Sequence, residues 1–158
     1  MQKRMIHKKL GELLVERKVL SPDQLEKALT LQNSKGGVLG EILVENGFCN
    51  EEIIVQVLTQ QYGFPYLSLS NYEIDPEVLK LIPENVARQF VLIPVDSAGN
   101  TLTVAMSNPL NQQAIEDVEM MTQKTILVFI STTTEIRRAI AQYYKQETIR
   151  SPVKNEKT

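Results

Sequence analysis

The strongest constraint on this chain is a tandem repeat close to its N-terminus. Residues 10–16 read LGELLVE and residues 39–45 read LGEILVE, which sets an offset of 29 residues. The same offset aligns the apolar positions that follow and brings Gln32 opposite Gln61. Similarity of this length is typical of one supersecondary unit that is present twice, so both copies should fold alike.

Each copy is predicted to form two helices joined by a turn. Apolar residues within 10–14 have helical spacing, and the pattern breaks at residues 17–20. Residues 21–24, SPDQ, then offer an N-cap serine, a proline for the first helical position and a glutamine for a capping box. In the second copy, Gly47 suits a helix end and Asn50 suits the next N-cap.

Each copy also carries a glycine and an apolar stripe at equivalent positions. Gly11 and Gly40 lie in the first helices, where glycine costs about 1 kcal/mol relative to alanine. That cost indicates close approach to the backbone, either by a neighbouring helix or by a ligand. The stripes of the second helices end in glutamine and face either the core or a ligand: Leu25, Leu29 and Gln32, then Ile54, Leu58 and Gln61.

The remaining sequence predicts a small α/β unit. Residues 63–65, GFP, end the helical pattern, and residues 125–130, TILVFI, are rich in β-forming residues and predict a buried strand. Residues 91–96 and 101–106 flank a glycine-containing turn and predict a β-hairpin. The other predicted elements are a short strand at 66–69 and helices at 76–81, 83–88, 111–121 and 132–144.

These elements predict an α+β fold in which two subdomains pack together. The first, residues 1–62, is a helical tandem helix-turn-helix repeat. The second, residues 63–146, is a small α/β subdomain with a short mixed sheet. Residues 147–158 are polar and charged, a composition that predicts a disordered tail.

Composition excludes several classes of function. The 158 residues carry 17 basic and 19 acidic side chains, whereas nucleic-acid-binding domains are usually strongly basic. One histidine and one cysteine cannot form most nucleophile–base pairs or zinc sites. The sequence contains neither a phosphate-loop pattern nor an apolar run of the ~20 residues that cross a bilayer. We therefore expect a cytoplasmic protein that is not an enzyme, with no catalytic residue, metal or cofactor, no DNA or RNA partner and no direct membrane insertion.

Two further features leave alternatives open. His7 and Lys9 belong to a basic cluster that precedes the first Leu-Gly pair. The cluster is either a solvated chain end or a cationic partner for an anion beside the helix backbone. Arg88 ends the helix predicted at 83–88 and, taken alone, is a surface arginine.

The doubled pattern, from Lys9 to Gln32 and again from Val38 to Gln61, resembles the tandem motif of MshEN domains. These are the N-terminal domains of type II secretion and type IV pilus assembly ATPases. Two later segments, LIPENVARQFVLIPV at 81–95 and LTVAMSNPLN at 102–111, also resemble the second subdomain of that family. The likeness extends over about residues 5–145, and it implies that an ATPase part would lie outside this chain.

The resemblance implies a binding site for cyclic di-GMP, a bacterial second messenger that many family members bind. Its two guanines and two phosphates are related by twofold symmetry, so a duplicated half-site suits it. A carboxylate introduced at Leu29 or at Leu58 should then weaken binding by more than about a hundredfold. The implied ligand-binding residues are His7, Lys9, Leu10, Gly11, Leu25, Leu29 and Gln32, their counterparts Leu39, Gly40, Ile54, Leu58 and Gln61, and Arg88 and Asn108.

Three positions depart from the family pattern. Lys9 replaces an arginine and loses its planar fork, Val38 provides no cation, and Asn108 stands where aspartate is frequent. The resemblance thus implies a cyclic di-GMP-binding regulatory module that works with a secretion or pilus ATPase. The alternative is an adaptor that docks on a membrane-platform protein of the secretion or pilus system without nucleotide.

Overall fold

The computed structural model describes the backbone of residues 9–155 and the side chains of residues 9–145. His7 lies outside the described residues. The tandem repeat folds into four helices, as the sequence predicts, and residues 10–60 contain no strand. The helices are α1 (Leu10–Glu16), α2 (Pro22–Lys35), α3 (Leu39–Glu45) and α4 (Glu51–Tyr62).

The helix starts follow from the predicted caps. Ser21 Oγ accepts the backbone N–H of Gln24 at 3.1 Å, and Gln24 Oε1 accepts the N–H of Ser21 at 3.0 Å, which completes a capping box. In the second copy, Asn50 Oδ1 accepts the N–H of Ile53 at 2.8 Å. Each cap satisfies backbone donors that a helix N-terminus leaves without an internal partner.

The turns inside the two copies have the same backbone shape but different residues. Gly47 adopts a left-handed φ of 72°, and its counterpart Lys18 adopts a φ of 63°. A side chain in this region collides with its own backbone, so Lys18 is strained where Gly47 is not. The repeat therefore dictates the turn geometry even where its glycine is lost.

The second subdomain contains four helices and a three-stranded sheet. Its strands lie in the order β1-β2-β3. β1 and β2 are antiparallel, whereas β2 and β3 are parallel, which confirms a mixed sheet. The elements are α5 (Pro76–Leu79), α6 (Glu84–Phe90), β1 (Leu92–Ala98), β2 (Thr101–Met106), α7 (Gln112–Thr122), β3 (Thr125–Ile130) and α8 (Thr133–Asn155).

The prediction of a buried strand at 125–130 is wrong in its burial. β3 is the edge of the sheet rather than its centre, and Leu127 on it is 50% exposed. The short strand expected at 66–69 is reduced to one bridge, in which Tyr66 pairs with Ile130 in parallel. β-forming composition predicted that β3 is a strand but not that it lies at the edge.

α8 is longer than the sequence predicts. The prediction ended this helix at residue 144 and assigned a disordered tail to residues 147–158, but α8 continues to Asn155. Residues 156–158 lie outside the described residues. Adding residues to an existing helix is much easier than starting one, so polar composition alone was a poor guide to its end.

Separate apolar clusters fill the two subdomains, yet the clusters touch. Ile130, at the end of β3, is fully buried in the cluster of the repeat helices. Val38, just before α3, packs against the cluster around the sheet. Within the described part of the chain, no helix has the length and apolar character needed to cross a membrane.

Two polar contacts tie the second copy of the repeat to α8. Arg137 donates two hydrogen bonds to the Glu41 carboxylate, from Nε at 2.7 Å and from Nη2 at 2.8 Å. Glu51 Oε1, at the start of α4, accepts the N–H of Thr134 at 2.7 Å. The second copy is therefore fixed to the α/β subdomain through both of its helices.

The strain at Lys18 gives a direct test of the shared turn. Replacing Lys18 with glycine should raise the free energy of unfolding by about 0.5–1 kcal/mol, because glycine adopts this φ without a steric cost. Urea unfolding of the Lys18→Gly protein measures the change. Lys27→Gly, inside α2, is the control and should be destabilising. Lower stability of Lys18→Gly would contradict the assigned backbone geometry.

Candidate functional site

A cleft of about 500 Å³ opens along the first copy of the repeat. It lies between α1, α2, the start of α3 and the loop that follows β2, so both subdomains form its walls. Eight of the residues predicted for ligand binding meet there. They are Lys9, Leu10, Gly11, Leu25, Leu29, Gln32, Leu39 and Asn108.

Leu25 and Leu29 form an apolar wall of this cleft. They are separated by one helical turn of α2, so they project from the same face. Leu29 is 40% exposed, so part of its side chain is open to the cleft. The pair offers a flat apolar surface of the kind on which an aromatic ring can stack.

The two glycines of the repeat differ in their surroundings. A Cβ on Gly11 would lie 2.5 Å from Leu25 Cδ1, the end of a flexible side chain that would have to shift. A Cβ on Gly40 would meet Leu10 and Ile54 at ordinary distances of 3.7 and 3.8 Å. The packing is therefore tighter at Gly11 than at Gly40.

Two amide side chains supply polar groups to the cleft. Gln32 Nε2 donates to the backbone oxygen of Gly37 at 3.0 Å, which leaves its carbonyl oxygen as an acceptor. Asn108 Oδ1 accepts the N–H of Leu110 at 3.2 Å, which leaves its amide nitrogen as a donor. Lys9 and Glu12 are the charged residues of the lining, and both are exposed.

The predicted residues of the second copy do not meet in a comparable cleft. A cleft of about 450 Å³ does lie between α3, the start of α4 and α8, but its lining contains no residue predicted for ligand binding. Gly40 and Ile54 line a cavity of only about 10 Å³, together with Leu10 and Asn108, which also belong to the large cleft. The sequence prediction missed the polar residues that close this cavity, because they come from the loop after β2, the residues around the start of α8 and the start of α4. They are Glu51, Ser107, Ser131, Thr132 and Thr133.

Three predicted residues lie elsewhere. Leu58 is fully buried in the core of the repeat helices, so Leu58→Asp would disrupt folding rather than remove a ligand contact. Gln61 Oε1 accepts a hydrogen bond from Arg17 at 2.7 Å, at the far end of α1. Arg88 does not line the cleft. Its Nε donates to the Glu84 carboxylate at 2.7 Å on the same helix.

A capping box fixes the start of α8, which forms one wall of the small cavity. Glu135 Oε1 accepts the backbone N–H of Thr132, and the Glu135 N–H bonds to Thr132 Oγ1, each at 3.1 Å. The same carboxylate accepts Tyr66 Oη at 2.8 Å and the Leu69 N–H at 3.2 Å. Partial burial acts to raise the pKa of Glu135, but these hydrogen bonds outweigh it and lower that pKa.

The architecture defines a class of protein: a domain in which two helical repeats pack on a small mixed sheet, with a cleft at their junction. The model of the MshEN domain family matches residues 62–150, which is more than half of the chain. The chain belongs to the MshEN domain family. Residues 10–61, which contain the repeat, precede the matched range.

The curated relatives include type IV pilus assembly ATPases and a type II secretion system protein. The type IV pilus assembly ATPase PilB of Myxococcus xanthus is 36% identical over 88% of this chain, and that of Thermus thermophilus is 31% identical over 88%. The type II secretion system protein E of Xanthomonas campestris is 25% identical over 92%. The chain spans 25% of the first relative and 16% of the second.

Solved structures of similar fold cover nearly the whole chain. A structure of MshE with cdg, an abbreviation of cyclic di-GMP, has a TM-score of 0.64 and 32% sequence identity. It covers 87% of this chain and all of the MshE chain. The N-terminal domain of XpsE has a TM-score of 0.67 over 90% of this chain and 99% of its own, and at 21% identity it supports the fold alone.

The lowered pKa of Glu135 predicts a change of stability in acid. The folded protein favours the charged form of Glu135. The Glu135 carboxylate therefore contributes to the stability of the fold at pH values above its ordinary pKa of 4.5. That contribution is lost as the pH falls through the lowered pKa of the folded state. Glu135→Gln should therefore be less stable than the parent protein at pH 7, with a smaller difference at pH 3.

Urea unfolding at both pH values measures this difference. Glu77→Gln removes an exposed carboxylate on α5 and controls for the change in net charge. A difference between Glu135→Gln and the parent protein that stays the same at both pH values would contradict the assigned role of the Glu135 carboxylate.

Proposed function

We propose that this chain is a cyclic di-GMP-binding regulatory module of a type II secretion or type IV pilus assembly ATPase, and that it acts by binding rather than by catalysis. The observation that carries this proposal is the convergence of eight predicted residues in one cleft of about 500 Å³. A similar chain, MshE at 32% identity, has been solved with cyclic di-GMP.

The lining of the cleft suits one guanine and an adjacent phosphate. Leu25 and Leu29 provide an apolar surface for the face of a base. The carbonyl of Gln32 can accept from a guanine N–H, and the amide nitrogen of Asn108 can donate to a guanine oxygen or nitrogen. Lys9, at the rim, can approach a phosphate as a point charge.

The position of the cleft suits a regulatory role. Leu29 belongs to the repeat helices, whereas Asn108 belongs to the loop after β2, so one ligand contacts both subdomains at once. A ligand that binds one arrangement of the subdomains more tightly than another shifts the population towards it. The partner that receives this shift would be the ATPase part of the same system, in the cytoplasm where the messenger acts.

Isothermal titration calorimetry with cyclic di-GMP tests the proposal. A saturable heat with one ligand per chain supports it, and the absence of heat at high micromolar ligand rejects it. Cyclic di-AMP is the matched ligand control, because it has the same backbone and a different base edge. Equal affinity for both ligands would reject recognition of guanine.

Leu29 tests whether the apolar wall contacts a base. Leu29→Asp should weaken binding by more than about a hundredfold, because it places a carboxylate against the face of the ring. Leu127→Asp is the matched control, since Leu127 is also a half-exposed leucine but lies on β3, outside the cleft. Thermal unfolding first checks that both variants fold. Calorimetry with cyclic di-GMP then compares their affinities. Parent-like affinity of Leu29→Asp would mean that this wall is no ligand surface.

Lys9 tests the contact with phosphate. Lys9→Ala should weaken binding by about tenfold, and the loss should shrink as salt rises, because Lys9 is exposed and its attraction is screened. Lys9→Arg should tighten binding through two parallel hydrogen bonds. Lys27→Ala, an exposed lysine on α2 outside the cleft lining, is the control. An effect of Lys9→Ala that is independent of salt would contradict a phosphate contact.

A second candidate is the nucleotide-independent adaptor that docks on a membrane-platform protein. The observation that favours it is an exposed apolar surface at the end of α7 and on β3. Met120 is 75% exposed, Met121 44% and Leu127 50%. A parent protein that gives no heat with cyclic di-GMP would favour this candidate over the first.

A further inference from the structure

The small cavity of the second copy contains a buried hydroxyl that nothing in the protein satisfies. Ser107 is 8% exposed and lines the cavity. Its Oγ is the buried side-chain polar atom without a hydrogen-bond partner among the described residues. A polar group buried in this way lowers stability, so its retention needs an explanation.

The backbone holds Ser107 at this position. Its N–H donates to the oxygen of Val91 at 3.2 Å, and the N–H of Ser131 donates to the oxygen of Met106 at 3.1 Å. Val91 has a φ of 51°, a strained value for a β-branched residue, at the junction of α6 and β1. The loop after β2 is therefore fixed on both sides of the hydroxyl.

A second buried serine in the same cavity shows what a satisfied hydroxyl looks like. Ser131 is fully buried, and its Oγ donates to the oxygen of Leu67 at 2.7 Å. Ser131 therefore has a structural role in joining the start of α8 to the segment that follows α4. Ser107 has the same chemistry and similar burial but no such role.

The charges of the cavity indicate which part of a ligand it can accept. Its lining includes one carboxylate, Glu51, and neither lysine nor arginine among the described residues. A phosphate would be repelled by Glu51 and find no cation. The edge of a guanine is neutral and presents N–H donors to a carboxylate and an oxygen to a hydroxyl.

We propose that Ser107 is a ligand-binding residue of the second half-site, and that its hydroxyl donates a hydrogen bond to the edge of the second guanine of cyclic di-GMP. This inference rests on the proposed function. It places the second guanine, which the open cleft does not contact, in the small cavity of the second copy. Asn108 and Leu10 line both cavities and connect the two halves.

The cavity has to widen before a base can enter. Its volume of about 10 Å³ is close to that of one water molecule. Glu51 lines it and accepts the N–H of Thr134 at 2.7 Å, so this contact between α4 and the first turn of α8 closes one wall of the cavity. Entry of the base replaces this contact and gives Ser107 its missing partner.

The test is Ser107→Ala, for which stability and affinity should change in opposite directions. Removing an unsatisfied buried hydroxyl should leave the melting temperature of the ligand-free protein unchanged or raised. Affinity for cyclic di-GMP should fall by about three- to tenfold, the effect of one hydrogen bond. Thermal unfolding without ligand and calorimetry with cyclic di-GMP measure the two effects.

Thr122→Val is the matched control, since it removes a satisfied, partly buried hydroxyl from α7, outside both the cleft and the cavity. It should lower the melting temperature slightly, because the oxygen of Val118 loses a donor. Its affinity for cyclic di-GMP should stay within about twofold of the parent protein. A fall in affinity as large as that of Ser107→Ala would show that the loss of any partly buried hydroxyl weakens binding, and it would overturn the assignment.

The remaining outcomes separate this inference from the proposed function. If the parent protein binds cyclic di-GMP and Ser107→Ala binds equally well, the inference is wrong and the proposed function stands. A lower melting temperature of Ser107→Ala with unchanged affinity would mean that the hydroxyl has a structural partner. If the parent protein does not bind, both fail together.

Discussion

The contact between the second copy of the repeat and α8 determines how the rest of this structure is arranged. Arg137 forms two hydrogen bonds with the Glu41 carboxylate, and both side chains are partly buried. Hydrogen bonding to Glu41 outweighs desolvation and raises the pKa of Arg137. Glu51 adds a carboxylate at the N-terminus of α8, where the helix dipole favours negative charge. Two helices of the repeat are thereby fixed to one helix of the α/β subdomain.

This contact makes two similar sequences unequal in structure. The first copy has Glu12 where the second has Glu41, but Glu12 lines the open cleft and is exposed. The second copy faces α8, and its predicted ligand residues Gly40 and Ile54 line only a small cavity. A ligand with twofold symmetry would therefore meet one half-site that is accessible and one that has to open. Because opening moves the start of α8, binding and the position of that helix would be coupled.

Sequence and family resemblance together predicted residues that meet in the open cleft, but they placed fewer residues correctly around the small cavity. Periodicity placed Leu25, Leu29 and Gln32 on one face, and the structure brings that face to the cleft. The same argument applied to Leu58 and Gln61 was wrong about their positions, because Leu58 is buried in the core and Gln61 accepts a hydrogen bond from Arg17. Periodicity identifies a shared helix face but cannot say what covers it. Ser107 gave no signal at all, since one serine before an asparagine and a proline indicates only a loop.

By itself, the sequence determined the elements whose causes are local. The offset of 29 residues, the caps at Ser21 and Asn50 and the β-hairpin all follow from neighbouring residues, and the structure contains each of them. Tertiary structure alone decided the edge position of β3, the small volume of the cavity beside Gly40 and the burial of Leu58. These features depend on surfaces that meet although they are far apart in the chain, as Glu41 meets Arg137 across 96 residues. A contact of that range leaves no periodic trace in the sequence, because it is set by packing between subdomains rather than by local backbone preference.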